Sequence, residues 1–214
     1  PLVPENVIAE RVGVRPLAMQ GEGGAADWVQ LSRKHVIEQS EHHRHLTIFG
    51  GKLTDCLNVG DEVVDKVADM GVIIPYPENR WYGEPSSSQR DEFMLQARLM
   101  NLDALTDSSS SEPLSERFWR RYGTSAFGLL ERIREDESCA TLLIESAEYT
   151  RCEIELAARR EMIVKLEDFM RRRSKIEQVI RWENIESAPG LKEACDILFG
   201  EQANLRLQEY LSRG

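Results

Sequence analysis

The sequence predicts an α+β chain: a short strand-bearing segment with one helix at the N-terminus, followed by a mainly α-helical C-terminal domain. Three observations carry that expectation. Runs rich in β-branched residues lie beside glycine-rich turns early in the chain, and proline and serine cluster at 75–88 and 108–113. From Ser115 onward, apolar residues recur at helical spacing among charges. The expected division is 1–71 for the strand-bearing segment, 72–114 for an acidic, Pro/Ser-rich linker with one helix, and 115–214 for an all-α domain.

Val7 to Val14 and Val29 to Ile37 read as strands separated by Gly21-Glu22-Gly23-Gly24, and Leu46-Thr47-Ile48-Phe49 reads as a third. That third strand runs into Gly50-Gly51, where missing side chains let the backbone turn sharply or approach a ligand. Thr54 or Asp55 then caps a helix carrying Leu57, Val63, Val64, Val67 and Met70, which stops at Gly71. In the linker a helix spans Gln89 to Leu102. The serine run 108–111 is expected to be solvated and to mark the main boundary. Further helices follow: Ser115 to Tyr122, Thr124 to Arg134, Tyr149 to Met162, and Leu166 to Arg173, whose arginine triplet suits a helix C-terminus. Pro189-Gly190 separates a last pair, Leu191 to Phe199 and Gln202 to Leu211.

The 214 residues are 41% hydrophobic, enough for a packed core, and the formal charge of −10 disfavours general binding to nucleic acid or anionic lipid. No apolar run approaches the ~20 residues of a membrane-spanning helix. Cys56, Cys139, Cys152 and Cys195 are too widely spaced for a zinc knuckle and read as reduced thiols, which suits a cytoplasmic location. The start, Pro1-Leu2-Val3-Pro4, carries no targeting pattern, and Val7-Ile8-Ala9 begins without a turn before it, so a larger parent unit is expected.

His42, His43 and His45 form an HHxH run that could offer metal ligands from a strand face. No cysteine stands near to complete a closed site, so the run reads as a polar turn and no metal is assigned. Arg15, Arg33 and Lys52 each neighbour apolar strand segments; converging, they would form an anion pocket, since guanidinium forks pair with phosphate or carboxylate. Gly50-Gly51-Lys52-Leu53-Thr54 before a helix could admit an anion or cofactor to free backbone N–H groups. It is not a Walker loop, and no GxGxxG occurs. Trp81, Trp119 and Trp182 are assigned to packing.

Val12-Gly13-Val14-Arg15-Pro16-Leu17, then Leu31-Ser32-Arg33-Lys34-His35-Val36-Ile37, then Gly50-Gly51-Lys52-Leu53-Thr54 resemble, in that order, the end of the catalytic region of FAD-dependent glycerol-3-phosphate dehydrogenases. Arg120-Arg121-Tyr122-Gly123, the Tyr149 to Met162 segment and Leu166 to Ser174 resemble that family's C-terminal helical domain. The resemblance implies oxidation of sn-glycerol 3-phosphate to dihydroxyacetone phosphate, with hydride passing to FAD and electrons to quinone, or to oxygen in the related oxidases. It places Arg15 and Arg33 at the substrate, Lys52 at the junction of substrate and flavin, and Gly50, Gly51, Leu53 and Thr54 along the flavin. Lys52 and Arg15 would be catalytic. The following helix would point its N-terminus at the edge of the ring that gains negative charge.

The resemblance further implies that the pyrophosphate-binding βαβ unit belongs to an N-terminal half outside this chain, so these residues alone are expected to be inactive and not to retain FAD. Association with that half, with a second copy, or with the inner face of a membrane is expected of the parent. The competing expectation is a helical protein-interaction module without a catalytic role. The first requires apolar surface left open in the N-terminal segment; the second requires that segment to be closed and self-sufficient.

Overall fold

The computed structural model describes residues 3–14, 35–40, 42–76, 84–145 and 147–212. The chain divides into two compact units, Val12–Trp81 and Pro1–Arg11 with Tyr82–Gly214. As the composition predicts, the protein is mostly helical, with a two-stranded sheet among the described residues.

In the smaller unit β1 (Val36–Gln39) pairs antiparallel with β2 (Leu46–Phe49), in a register that sets Val36 opposite Phe49 and Gln39 opposite Leu46. The histidine run bends between them, because three polar residues at 42–44 offer nothing to pack against a sheet face. After β2, Gly50 and Gly51 adopt φ of 67° and 92°, left-handed values that glycine reaches without strain. A turn of 3₁₀ helix, Leu53–Asp55, leads into α1 (Cys56–Asp69), which ends before Gly71 at φ 81°. Strand, Gly-Gly turn and helix therefore stand as the sequence predicts.

Val7 to Val14 is not a strand. The segment opens with a 3₁₀ turn, Pro4–Asn6, and continues as extended chain without a ladder partner among the described residues. Arg181 Nη2 donates to the Glu5 carbonyl at 2.6 Å, and Ile8 and Arg11 line, with Ile180 and Trp182, an open cavity of about 430 Å³. Residues 29–34 of the expected second strand lie outside the described residues.

The larger unit has two hydrophobic cores. The first gathers Phe93 and Ala97 of α2 (Ser87–Leu99), Leu114 and Phe118 of α3 (Leu114–Tyr122), and Leu129, Leu130 and Ile133 of α4 (Ala126–Glu135). The second packs Ile154 and Ala157 of α5 (Arg151–Arg160) against Phe169, Met170 and Ile176. The last helices close it, through Ile185 of α7 (Trp182–Glu186, after α6, Ile176–Val179), Leu191 and Ala194 of α8 (Leu191–Phe199), and Tyr210 of α9 (Ala203–Leu211). Helix α5 serves both cores, since its Cys152 points into the first. Each fully buried Leu, Ile or Phe contributes about 1.5–3 kcal/mol, so these faces hold the unit together.

This packing revises the expected boundary at the serine run. Helix α2 lies upstream of that run yet shares a core with α3 and α4 downstream, because Phe93 and Ala97, four residues apart, form one face of α2. A capping box at Ser86 and Gln89 fixes its start. The serine run itself is anchored: Ser111 donates through its amide and hydroxyl to Glu148 Oε1 at 2.6 and 2.9 Å, and Ser110 Oγ accepts from Arg117 Nη1 at 3.2 Å. Ser115 is not a helix cap but lies inside α3, its hydroxyl donating to Asp103 at 2.9 Å. Arg171, Arg172 and Arg173 end a π-helical turn, Asp168–Arg173, and the first two pair with Glu167 and Asp168 on the same turn. Trp119 lies 5.3 Å from Phe93, and Trp182 5.1 Å from Tyr210, centroid to centroid; both are packing residues, and Trp81 falls outside the described residues.

Candidate functional site

The Gly-Gly turn carries the described part of the predicted site. Gly50, Gly51, Lys52, Leu53 and Thr54 follow one another between β2 and α1, with Lys52, Leu53 and Thr54 exposed. Arg15 and Arg33 lie outside the described residues. A Cβ placed on Gly51 would come within 3.2 Å of the His35 Cβ, so the turn presses bare backbone against the start of β1.

Asp55 precedes α1 but does not cap it. Its Oδ1 accepts from Asn58 Nδ2 at 2.6 Å and its Oδ2 meets His35 Nδ1 at 3.1 Å, leaving the first backbone N–H groups of α1 without a side-chain cap. The Asn58 hydrogen bond, followed by His35 and the charge of Lys52, holds the Asp55 carboxyl below its ordinary range. His35 Nε2 meets Glu62 Oε2 at 2.7 Å, and that hydrogen bond, reinforced by Asp55 and opposed by burial, raises the imidazole pKa.

The donor set fits a flavin. The glycine backbone obstructs nothing, the start of a 14-residue helix offers uncapped N–H groups, and Leu53 is 91% exposed with Ile48, Phe49 and Leu57 also open. No residue of the Val12–Trp81 unit belongs to the buried core among the described residues, whereas Val12, Val14, Leu53 and Ile73 are open to solvent. Among the described residues no group of three His, Cys, Asp or Glu is placed to hold a metal ion, and no helix is long and apolar enough to cross a membrane.

The Arg120-Arg121-Tyr122-Gly123 motif occupies a second polar centre, between the two cores of the helical unit. Glu153 is fully buried there. One carboxylate oxygen accepts from Arg121 Nη1 at 2.8 Å and Tyr122 Oη at 3.1 Å; the other accepts from the Thr150 amide at 2.8 Å and hydroxyl at 3.0 Å, and faces Arg117 Nη2 at 3.7 Å. Arg121 also donates to the Glu148 carbonyl at 2.6 Å and lies 4.2 Å above the Tyr149 ring. Burial is the largest influence on Arg121 and works against its charge, but Glu153, Tyr149 and Tyr122 together outweigh it and its pKa rises; burial and the Glu153 carboxylate keep Tyr122 a phenol. Arg120 pairs with Glu112 at the surface. Gly123, at φ 51°, closes α3 where a Cβ would touch Pro85 at 3.0 Å.

This centre joins helices and offers no reacting atom to solvent. The sequence did not expose it as a pairing, because Arg117 and Glu153 belong to residue types that normally face water; the Thr150-x-x-Glu153 capping box was its one legible trace.

Comparison with known proteins gives one family. Residues 89–198, more than half of the chain, match the model of the C-terminal domain of alpha-glycerophosphate oxidase. No curated protein and no solved structure matches the chain significantly. The matched stretch begins within α2, includes the Arg-Arg-Tyr-Gly motif, the first core and the second core apart from its α9 residues, and ends in α8, in keeping with the resemblance carried by the downstream motifs. The chain therefore belongs to the family of the C-terminal domain of alpha-glycerophosphate oxidase, within the FAD oxidoreductases.

Proposed function

We propose that this chain supplies the C-terminal part of a flavoenzyme that oxidises sn-glycerol 3-phosphate to dihydroxyacetone phosphate and passes electrons onward to quinone. The family match over 89–198 is the observation that carries the reading. The order of the upstream motifs and the open apolar surface of the Val12–Trp81 unit support it.

In this reading Arg15 and Arg33 bind the substrate phosphate through planar guanidinium forks and orient the alcohol end. Lys52, a compact point charge on the turn, sits with Arg15 at the reacting carbon and polarises the hydroxyl oxygen. Gly50 and Gly51 let backbone approach the ring, while Leu53, Ile48 and Phe49 exclude water from its face. The positive end of the α1 backbone dipole, which carries no side-chain cap, would stabilise negative charge on a ring edge bound there. FAD, when bound, accepts the hydride and releases the electrons to the acceptor.

The pyrophosphate-binding unit comes from the N-terminal half of the parent, so the chain by itself neither retains FAD nor turns over substrate. The parent works on the cytoplasmic side, peripheral to the membrane that holds its quinone. A second reading, in which oxygen accepts the electrons, is favoured by the family's description as an oxidase domain. Adding the separately expressed flavin-binding half and following dye reduction with glycerol 3-phosphate tests the proposal. Activity from the assembled pair, absent from either part, is expected; an assembled, flavin-loaded pair without activity overturns it. Consumption of oxygen without added acceptor selects the oxidase reading.

A further inference from the structure

His35 stands out as the most constrained ionisable group of the strand-bearing unit. Its side chain is only 10% exposed, and each ring nitrogen meets a carboxylate: Asp55 at the entrance to α1 and Glu62 further along the same helix. A neutral imidazole carries one N–H and can donate to one of the two; only the doubly protonated ring donates to both. The same residue immediately precedes β1 and backs onto Gly51. Sequence places it two positions after Arg33.

We propose that His35 is a positioning residue: charged, and held between Asp55 and Glu62, it locks the Gly50-Gly51 turn and the first turn of α1 against the strand that follows Arg33, and so sets the geometry of the substrate and flavin wall. The proposal rests on the flavoenzyme reading above. It has two physical parts. The clamp ties the start of β1, the Gly-Gly turn and α1 together, so its release misplaces Lys52 relative to β1. It also neutralises Asp55, whose carboxylate would otherwise put negative charge beside the helix terminus that receives charge from the ring. The charged groups facing His35 from α1 are Asp55 and Glu62, and Lys52 acts on Asp55 from the turn; the described residues put no other ionic partner on the ring.

The sign of the pH dependence follows. The imidazole pKa is raised above 6.5 in the folded chain by the Glu62 hydrogen bond first, so the clamp is complete below that ordinary value and is lost as pH rises through the raised one. The site should loosen on the alkaline side.

Two measurements test this. In the 214-residue chain, NMR titration of the ring nitrogens is expected to give His35 a midpoint above 6.5, with the Gly51 amide shifting through the same midpoint and Glu62→Gln lowering it. A midpoint at or below the ordinary value, or a Gly51 amide indifferent to it, overturns the clamp. In the assembled flavin-loaded enzyme, KM for glycerol 3-phosphate is expected to rise about tenfold or more across that midpoint while Glu62→Gln moves the rise to lower pH. Oxidation with a KM profile untouched by Glu62→Gln overturns the clamp alone. No oxidation by the wild-type assembly overturns the reading beneath it, and the NMR titration still decides whether the clamp forms.

Discussion

Replacing Glu153 with alanine should strongly destabilise the helical unit. The carboxylate is fully buried, ion-pairs with Arg121 at 2.8 Å and Arg117 at 3.7 Å, and accepts from Tyr122 and from the amide and hydroxyl of Thr150. Its removal leaves the Arg117 guanidinium 1% exposed and without its ion-pair partner, holding the Ser110 hydroxyl at 3.2 Å and the weaker pull of Asp107 and Glu148. Breaking a buried pair on one side costs about 3–5 kcal/mol, because the remaining charge cannot recover its hydration. Native domains have only about 5–15 kcal/mol in hand. With a urea slope of about 2 kcal/mol per molar, the midpoint should fall by about 2 M. Urea titration followed by fluorescence of variants that keep Trp119 or Trp182 alone, the other tryptophans replaced by phenylalanine, reads this directly, since Trp119 packs on the first core and Trp182 on the second. Because Glu153 joins helices that serve both cores, the Trp119 and Trp182 signals should separate in Glu153→Ala, and replacing Arg117 and Glu153 together with methionine should recover much of the loss. A single mutant within about 1 kcal/mol of wild type, with coincident signals, would refute it.

Three further outcomes follow from the packing. Gly190→Ala should lower Tm by several degrees or prevent folding, because a Cβ there would lie 1.9 Å from the Leu143 carbonyl oxygen, and overpacking against backbone costs about 3 kcal/mol or more; calorimetry showing an unchanged Tm would contradict the close approach. Gly51→Ala should cost about 1–2 kcal/mol from its left-handed φ of 92° and weaken flavin retention in the assembled enzyme, measured by released FAD fluorescence. Thiol titration of the native chain at mild alkaline pH should find Cys56 reactive and Cys152 and Cys195 silent, since burial excludes reagent and pushes both buried thiols up to about 12. Rapid modification of either buried thiol would show that its core opens.

Local signals in the sequence were reliable where the chain decides locally. Gly50-Gly51 after a β-branched run, a helix closing at Gly71 and the break at Pro189-Gly190 each follow from residues with few conformational options. Pairing at a distance was not legible in the same way. Val7 to Val14 has strand-forming residues but joins no ladder among the described residues, and Arg181 holds the Glu5 carbonyl just before it. Helix α2 was visible as a helix, yet its place in a core depended on Phe93 meeting Phe127 and Trp119, residues that no local spacing links to it. Of the candidate site, the order of cations and glycines could be read, whereas the His35 bridge to Asp55 and Glu62 became visible only once α1 folded back beside β1.

The decisive measurement is a structure of the assembled, flavin-loaded enzyme with dihydroxyacetone phosphate bound. The phosphate should lie within hydrogen-bonding distance of Arg15 and Arg33, with Lys52 against the carbonyl oxygen and the flavin ring beside Gly51. Three cations turned in unrelated directions, with neither flavin nor ligand near Gly51, would contradict it.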